Sequence, residues 1–586
     1  MRALALVALL WGSVTAVMAE EPADLIVRNA KVTTMDEARP TAEAFASRGE
    51  TFVAVGSEAE VMRLRGESTR VIDAGGRRVI PGLNDSHLHV VRGGRFYNLE
   101  LRWDGVDSLA RGLAMIREQA KRTPKGQWVR VVGGWSPYQF EERRLPTVRE
   151  LNEAAPDTPV FVLFLYSQGF LNKAGVEALG LTPETKAPDG GRIDFVDGGG
   201  AVLYADPSPV ILYTTIDRLP KLSPEDQLNS TQHFFRELNR LGLTSALDAG
   251  GGGHAYPVDY EATTTLALRP DFPIRISFFL FAQKAGSELA NYRKWTAEEK
   301  RDVNRAAQRL NGYVLEGAGE NLVSSAGDFE NFMAPRPALK ESMEADLTAV
   351  VRLLAEKQWP LRIHATYDES IGRMLNVFAP IFRDTNYKAR WFIDHAETIS
   401  PANIARVKAL GGAVAVQNRM AFAGEYFVER YGKEAAASAP PLRRWLDVGV
   451  PVGAGTDGTR VSSYNPWLSL YWLTTGKTLG GMQLYPPENL LSRDEALRLY
   501  TVGSAGLSGE ANVKGRIAPG QYADFAILSA DYPSVPPEEI RTIESVLTVV
   551  GGNGAYAAAP FGTLAPAPLA AATPSWSPVG AFGGYQ

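Results

Sequence analysis

Four short apolar runs in this chain end on a polar side chain that can bind a metal, and long helical stretches separate them. The first, from Val79 and Ile80, runs through Pro81-Gly82-Leu83-Asn84-Asp85-Ser86 to His87 and His89; the others end at His364, His395 and Asp457. Strand-helix alternation of this kind restricts the architecture to a parallel α/β fold, because parallel strands need a long crossover, usually a helix. In a closed barrel of eight such strands the C-terminal strand ends meet at one mouth, where ligands far apart in sequence converge. The expected class is α/β: a TIM-like (β/α)8 barrel.

Residues two apart on a strand project from one face, so His87 and His89 share a space. Neutral imidazole is the commonest protein ligand for zinc and related metals, and four of the six histidines fall at these strand ends. A cation held by imidazoles and carboxylates generates hydroxide from bound water and polarises a carbonyl oxygen, which favours hydrolysis of an amide or ester. Asp457 borders such a centre and is suited to two roles, ligand and general base then acid. Asp394, Glu397 and Asp368 lie near His395 and His364, where one of them could orient a ligand imidazole. His254 follows the run Gly250–Gly253, a mobile kind of segment suited to substrate contact. His233 reads as ordinary packing or surface.

The ordered motifs around His87, His89, His364, His395 and Asp457 resemble the metal-dependent amidohydrolase superfamily, in particular the branch containing N-substituted formamide deformylase. Ala23-Asp24-Leu25-Ile26-Val27 near the start and Lys514–Leu528 near the end resemble the small β-sandwich that accompanies the barrel in that family. The resemblance implies that His87 and His89 come from barrel strand one, His364 from strand five, His395 from strand six and Asp457 from strand eight. It also implies a catalytic Asp457, small-molecule substrates and a divalent metal cofactor, zinc first among the candidates, as one or two ions. The family's bridging lysine on strand four is missing. Glu316 is the first choice to replace it and Glu320 the second; by residue parity both share one strand face. Trp135, Tyr138 and Gln417 resemble pocket-lining positions, and Ser167 stands where relatives carry a histidine five residues before the equivalent of Asn172.

Composition narrows the setting. The chain has 586 residues, is 45% hydrophobic and contains no cysteine. It is long enough for more than one domain, and any zinc must be bound by nitrogen and oxygen. A net charge of −5 argues against a nucleic-acid partner. Residues 1–19 combine a charged start, an apolar run too short to span a bilayer and Val17-Met18-Ala19 as a cleavage site, which reads as a signal peptide. The mature protein is expected in the periplasm or secreted, with no membrane partner after cleavage; homo-oligomerisation stays open. The expected organisation is a β-sandwich from 23–80 plus 512–556, a barrel over 81–511 with an insertion at about 100–230, and a loosely ordered tail, 557–586. The function expected is hydrolysis of a non-peptide or cyclic amide. An ester or lactone hydrolase on the same site and a binding protein without turnover are the alternatives.

Overall fold

The computed structural model describes residues 21–299, 312–329, 332, 333, 336 and 338–586; the signal-peptide reading of 1–19 lies outside them. Eight parallel strands form one sheet in sequence order: Leu83–Leu88, Leu243–Asp248, Arg275–Leu280, Tyr313–Ala318, Leu361–Ala365, Trp391–His395, Ala413–Gln417 and Val452–Gly455. The first and last strands meet just beyond their ends, where Asp457 N donates to His87 O at 2.7 Å and His89 N to Gly458 O at 3.1 Å. Every strand residue except Tyr313 is buried. Burial on both faces explains why these runs read as continuous apolar segments rather than alternating ones. Helices pack outside. Pro401–Ala409, for example, starts with Ser400 accepting from Asn403 N and with Pro401 in the first turn, where a missing N–H costs nothing.

Both chain ends build the second domain. A six-stranded sheet interleaves N-terminal Arg78–Pro81, Lys31–Thr33 and Thr41–Ala42 with C-terminal Phe525–Leu528, Ser545–Val550 and Asn553–Ala557. It faces a four-stranded sheet made of Thr51–Gly56, Ala44–Arg48, Leu25–Arg28 and Arg70–Asp73. Their shared core includes Phe45, Phe52 and Phe525, with the Phe45 ring 4.9 Å from that of Phe525 and 5.2 Å from that of Phe52. Gly82 alone separates the strand Arg78–Pro81 from the first barrel strand, so the sandwich is joined rigidly to the segment that carries His87.

The long connection between the first two barrel strands carries a five-stranded sheet of its own, including Val129–Val132, Val160–Phe164 and Gln168–Leu171. Asn172 holds it together: its side chain accepts from Val160 N and Gly175 N and donates to Ala155 O and Thr158 O. The C-terminal tail differs from the loose segment its Ala, Pro and Gly content suggests. Side chains of the insertion take up its backbone: Asn98 Nδ2 donates to Thr573 O, Gln119 Nε2 to Trp576 O and His233 Nε2 to Ala570 O, at 2.9, 2.7 and 2.9 Å. Satisfying the tail's carbonyls fixes a sequence that has little regular structure to do so.

Candidate active site

The strand ends bring six side chains together at the barrel mouth. His87 ends the first strand with Nδ1 3.0 Å from Asp394 Oδ1, which turns Nε2 toward the centre. Asp394 is itself held by Arg362, whose Nε donates to Oδ2 at 2.8 Å. His89 donates from Nδ1 to Gly250 O at 2.7 Å, and its Nε2 stands 3.0 Å from Asp457 Oδ1. A carbonyl can only accept, so this bond fixes the tautomer that leaves Nε2 free to ligate. His364 and His395 stand with ring centroids 4.1 Å apart. Glu320 lies among all four: Oε2 is 3.5 Å from His87 Nε2, 3.2 Å from His364 Nδ1 and 3.5 Å from His395 Nε2, and Oε1 is 3.6 Å from His89 Nε2.

Three sets of donors, His87–His395–Asp457, His87–His89–Glu320 and Glu320–His364–His395, each place one atom per residue within 4.8 Å of the others. Among the described residues, His87 Nε2 and both ring nitrogens of His395 are buried with no hydrogen-bond partner. Orphaned imidazole nitrogens carry a desolvation penalty that a cation would remove, so the residues fit a nitrogen- and oxygen-ligated divalent ion. Backbone conformation agrees, since His395, Ala396 and Asp457 hold φ of +77°, +57° and +55°, a region costly for residues other than glycine and typical of functional sites.

The charges of the cluster answer one another. Burial alone would lower the His87 imidazole, but Asp394 and Glu320 outweigh it and raise it to about 9. His364 also reaches about 9 against its burial, chiefly through Glu320. Burial and the nearby Arg92 charge instead take His89 down to about 4. Although burial opposes it, the positive neighbours hold the Glu320 and Asp457 carboxylates well below their usual range.

A family model described as "Amidohydrolase family" matches residues 70–556. This chain belongs to the amidohydrolase family. It is accordingly a metal-dependent hydrolase of carbon–nitrogen bonds. The N-substituted formamide deformylase of Arthrobacter pascens is 26% identical over 546 residues, covering 90% of this chain and 97% of that protein. The fold is shared with uncharacterized metal-dependent hydrolases of Pyrococcus horikoshii and Pyrococcus furiosus, each at a TM-score of 0.61. Identities are 20% and 19%, and the matches cover 88% and 87% of this chain and 99% and 100% of those.

In this amidohydrolase the structure separates the two strand-four glutamates. Glu316, the first choice from the sequence, is not in the cluster; its carboxylate pairs with Arg390, at the opposite, N-terminal approach to the sixth strand. The cause is a β-bulge. Phe278 pairs with Leu315 but Phe279 pairs with Gly317, so Glu316 has no counterpart and the two-residue parity linking it to Glu320 is broken. The other candidates divide between the site and its surroundings. Asp394 contacts His87 rather than the adjacent His395, and Glu397 Oε1 lies 3.9 Å from His395 Nδ1. Asp368 caps the next helix through Ser400 N. Trp135 is packed among Trp103, Phe140 and Phe164, Tyr138 meets Tyr426, and Gln417 Nε2 donates to Ala415 O. None of these three, nor Ser167, lines the cavity beside the cluster; Gly251 and Gly252 do, while His254 packs on Tyr260.

Sequence reasoning missed several contributors. Asp85 accepts from His87 N and from Thr456 N and Oγ1, tying strand one to strand eight, and burial raises its carboxyl to about 7. Its place two residues before His87 was the available signal. Asp328 accepts from Thr366 N and Tyr367 N behind His364, and Arg419 pairs with Asp457. Asp328 lies outside the strand-end motifs, whereas Arg419 stands two residues past the seventh strand, as Asp457 does past the eighth.

Proposed function

We propose that the enzyme hydrolyses a small non-peptide amide, linear or cyclic, using His87, His89, Glu320, His364, His395 and Asp457 to hold one or two divalent cations. The observation that carries this reading is the position of Glu320. One carboxylate reaches imidazoles from strands one, five and six, the arrangement a bridging ligand needs. A cation held by these side chains would supply a water that is nucleophilic near neutral pH and would polarise the substrate carbonyl. Asp457 is oriented for proton transfer: Arg419 holds Oδ2, and Oδ1 faces the cluster beside His89 Nε2. Oδ1 takes a proton from the attacking water and delivers it to the departing nitrogen, which cannot leave as an unprotonated amide anion. The similarity to a formamide deformylase supports an amide substrate. The apolar run near the start supports export to the periplasm or medium.

The test is a panel of amides, cyclic amides, esters and lactones incubated with purified metal-loaded protein and read by the mass gain of water addition. Cleavage of amides supports the reading. Protein that holds less than one equivalent of metal, or holds it and cleaves only esters and lactones or nothing, contradicts it.

A further inference from the structure

Arg92 lies on the helix Val90–Phe96 that follows the first barrel strand, and it is 4% exposed. Its Nε is buried without a partner, and among the described residues its guanidinium donates no hydrogen bond and meets no carboxylate. Arg95, on the same helix, is paired with Asp259 at 2.5 Å. Arg460 is similar: it is 4% exposed, its Nε has no partner, and among the described residues it meets no carboxylate, although Tyr166 bonds its guanidinium. Buried cations are ordinarily paired because desolvation is costly, so an unpaired one facing a cavity calls for an anion from outside the chain.

We infer that the substrate carries a carboxylate and that Arg92 binds it, with Arg460 behind it strengthening the field; this rests on the amidase reading above and names its substrate class. Arg92 lines the same cavity as His89, Glu320, His364 and Asp457. Its distance from the reacting centre is short. A Cβ at Gly251 would lie 3.1 Å from Arg92 Nη1 and 2.9 Å from His89 Nδ1, so guanidinium and imidazole both border that glycine. Tyr166 and Tyr213, edge to face at 4.8 Å, form the wall beside Arg92, and Phe329 leans on His364 at 5.3 Å. The lining thus offers a place for an amide at the metal end, a carboxylate at Arg92 and an apolar body between them on one small molecule. The planar guanidinium fork matches a carboxylate in two parallel hydrogen bonds. Burial, then the Arg92 charge, pull the Arg460 guanidinium below its usual value, and Tyr166 and Glu100 offset this only in part.

The test compares ligands that differ only in the charged group. Calorimetry on metal-loaded protein measures 3-phenylpropionate against 3-phenylpropanol, and turnover compares N-formylphenylalanine with N-formylphenethylamine. The acid should bind at least about tenfold more tightly than the alcohol, and the carboxylate-bearing formamide should be preferred in kcat/KM by about tenfold or more. Arg92→Met should reduce both ratios toward one. An acid bound no better than the alcohol, or an acid preference that survives in Arg92→Met and so resides at the metal, overturns the inference. Failure to cleave either formamide counts against the amidase reading alone, because the binding ratio still decides the anion site. Should Arg92→Met not fold, Arg92→Gln is measured in its place and read by the same two outcomes.

Discussion

His87 and His89 are one residue apart, yet different partners aim them: the Asp394–Arg362 pair for one, the carbonyl of Gly250 for the other. Both leave Nε2 toward the same centre, which is the property a ligand pair needs. Asp457 faces that centre with one oxygen while Arg419 holds the other, so the side chain can shuttle a proton without moving. Replacing Asp457 with Asn keeps the shape and removes the base. The expected outcome is a kcat lowered by about 10²–10⁴-fold with bound metal retained, checked by steady-state kinetics beside elemental analysis. The ligand side chains at strand ends were legible in the sequence because strand, turn and metal chemistry leave a local pattern. The residues that aim them were not. Arg362 and Asp394 meet His87 from 275 and 307 positions away, and nothing in either segment announces the contact.

At the scale of elements, the fourth strand decides the site. The bulge at Glu316 is invisible to an argument from alternation, which treats 316 and 320 as equivalent. Beyond the strand, Gly319 N donates to Leu280 O, Glu320 N to Ala249 O and Glu320 O accepts from His364 N, so the carboxylate is carried by backbone locked to three neighbouring strands. Gly319 holds φ of +118°, and a Cβ there would lie 2.0 Å from Arg362 O. Gly319→Ala should therefore displace Glu320. The expected effects are a loss of about 1–3 kcal/mol in stability and metal binding weakened by about tenfold or more, measured by chemical denaturation and by competition with a chelator. Unchanged metal affinity would show that Glu320 does not depend on this turn.

For the whole molecule, strand-helix alternation pointed to a parallel barrel, and the resemblance to the family supplied the order of its strands and the pairing of both chain ends. The docking of the C-terminal tail did not, since it depends on polar side chains of the insertion meeting backbone groups hundreds of residues away. Deleting residues 566–586 should lower the thermal midpoint by a few degrees by exposing those side chains and the apolar surface under them, with metal content unchanged. A chain with the same midpoint would mean that the tail adds nothing to the fold. The central claim concerns the barrel mouth, and metal stoichiometry after equilibrium dialysis tests it most directly. The wild-type protein should retain one to two equivalents of divalent metal, Glu320→Gln should lose at least half of it, and Glu316→Gln should match the wild type. Full metal content in Glu320→Gln, or its loss in Glu316→Gln, would contradict the account.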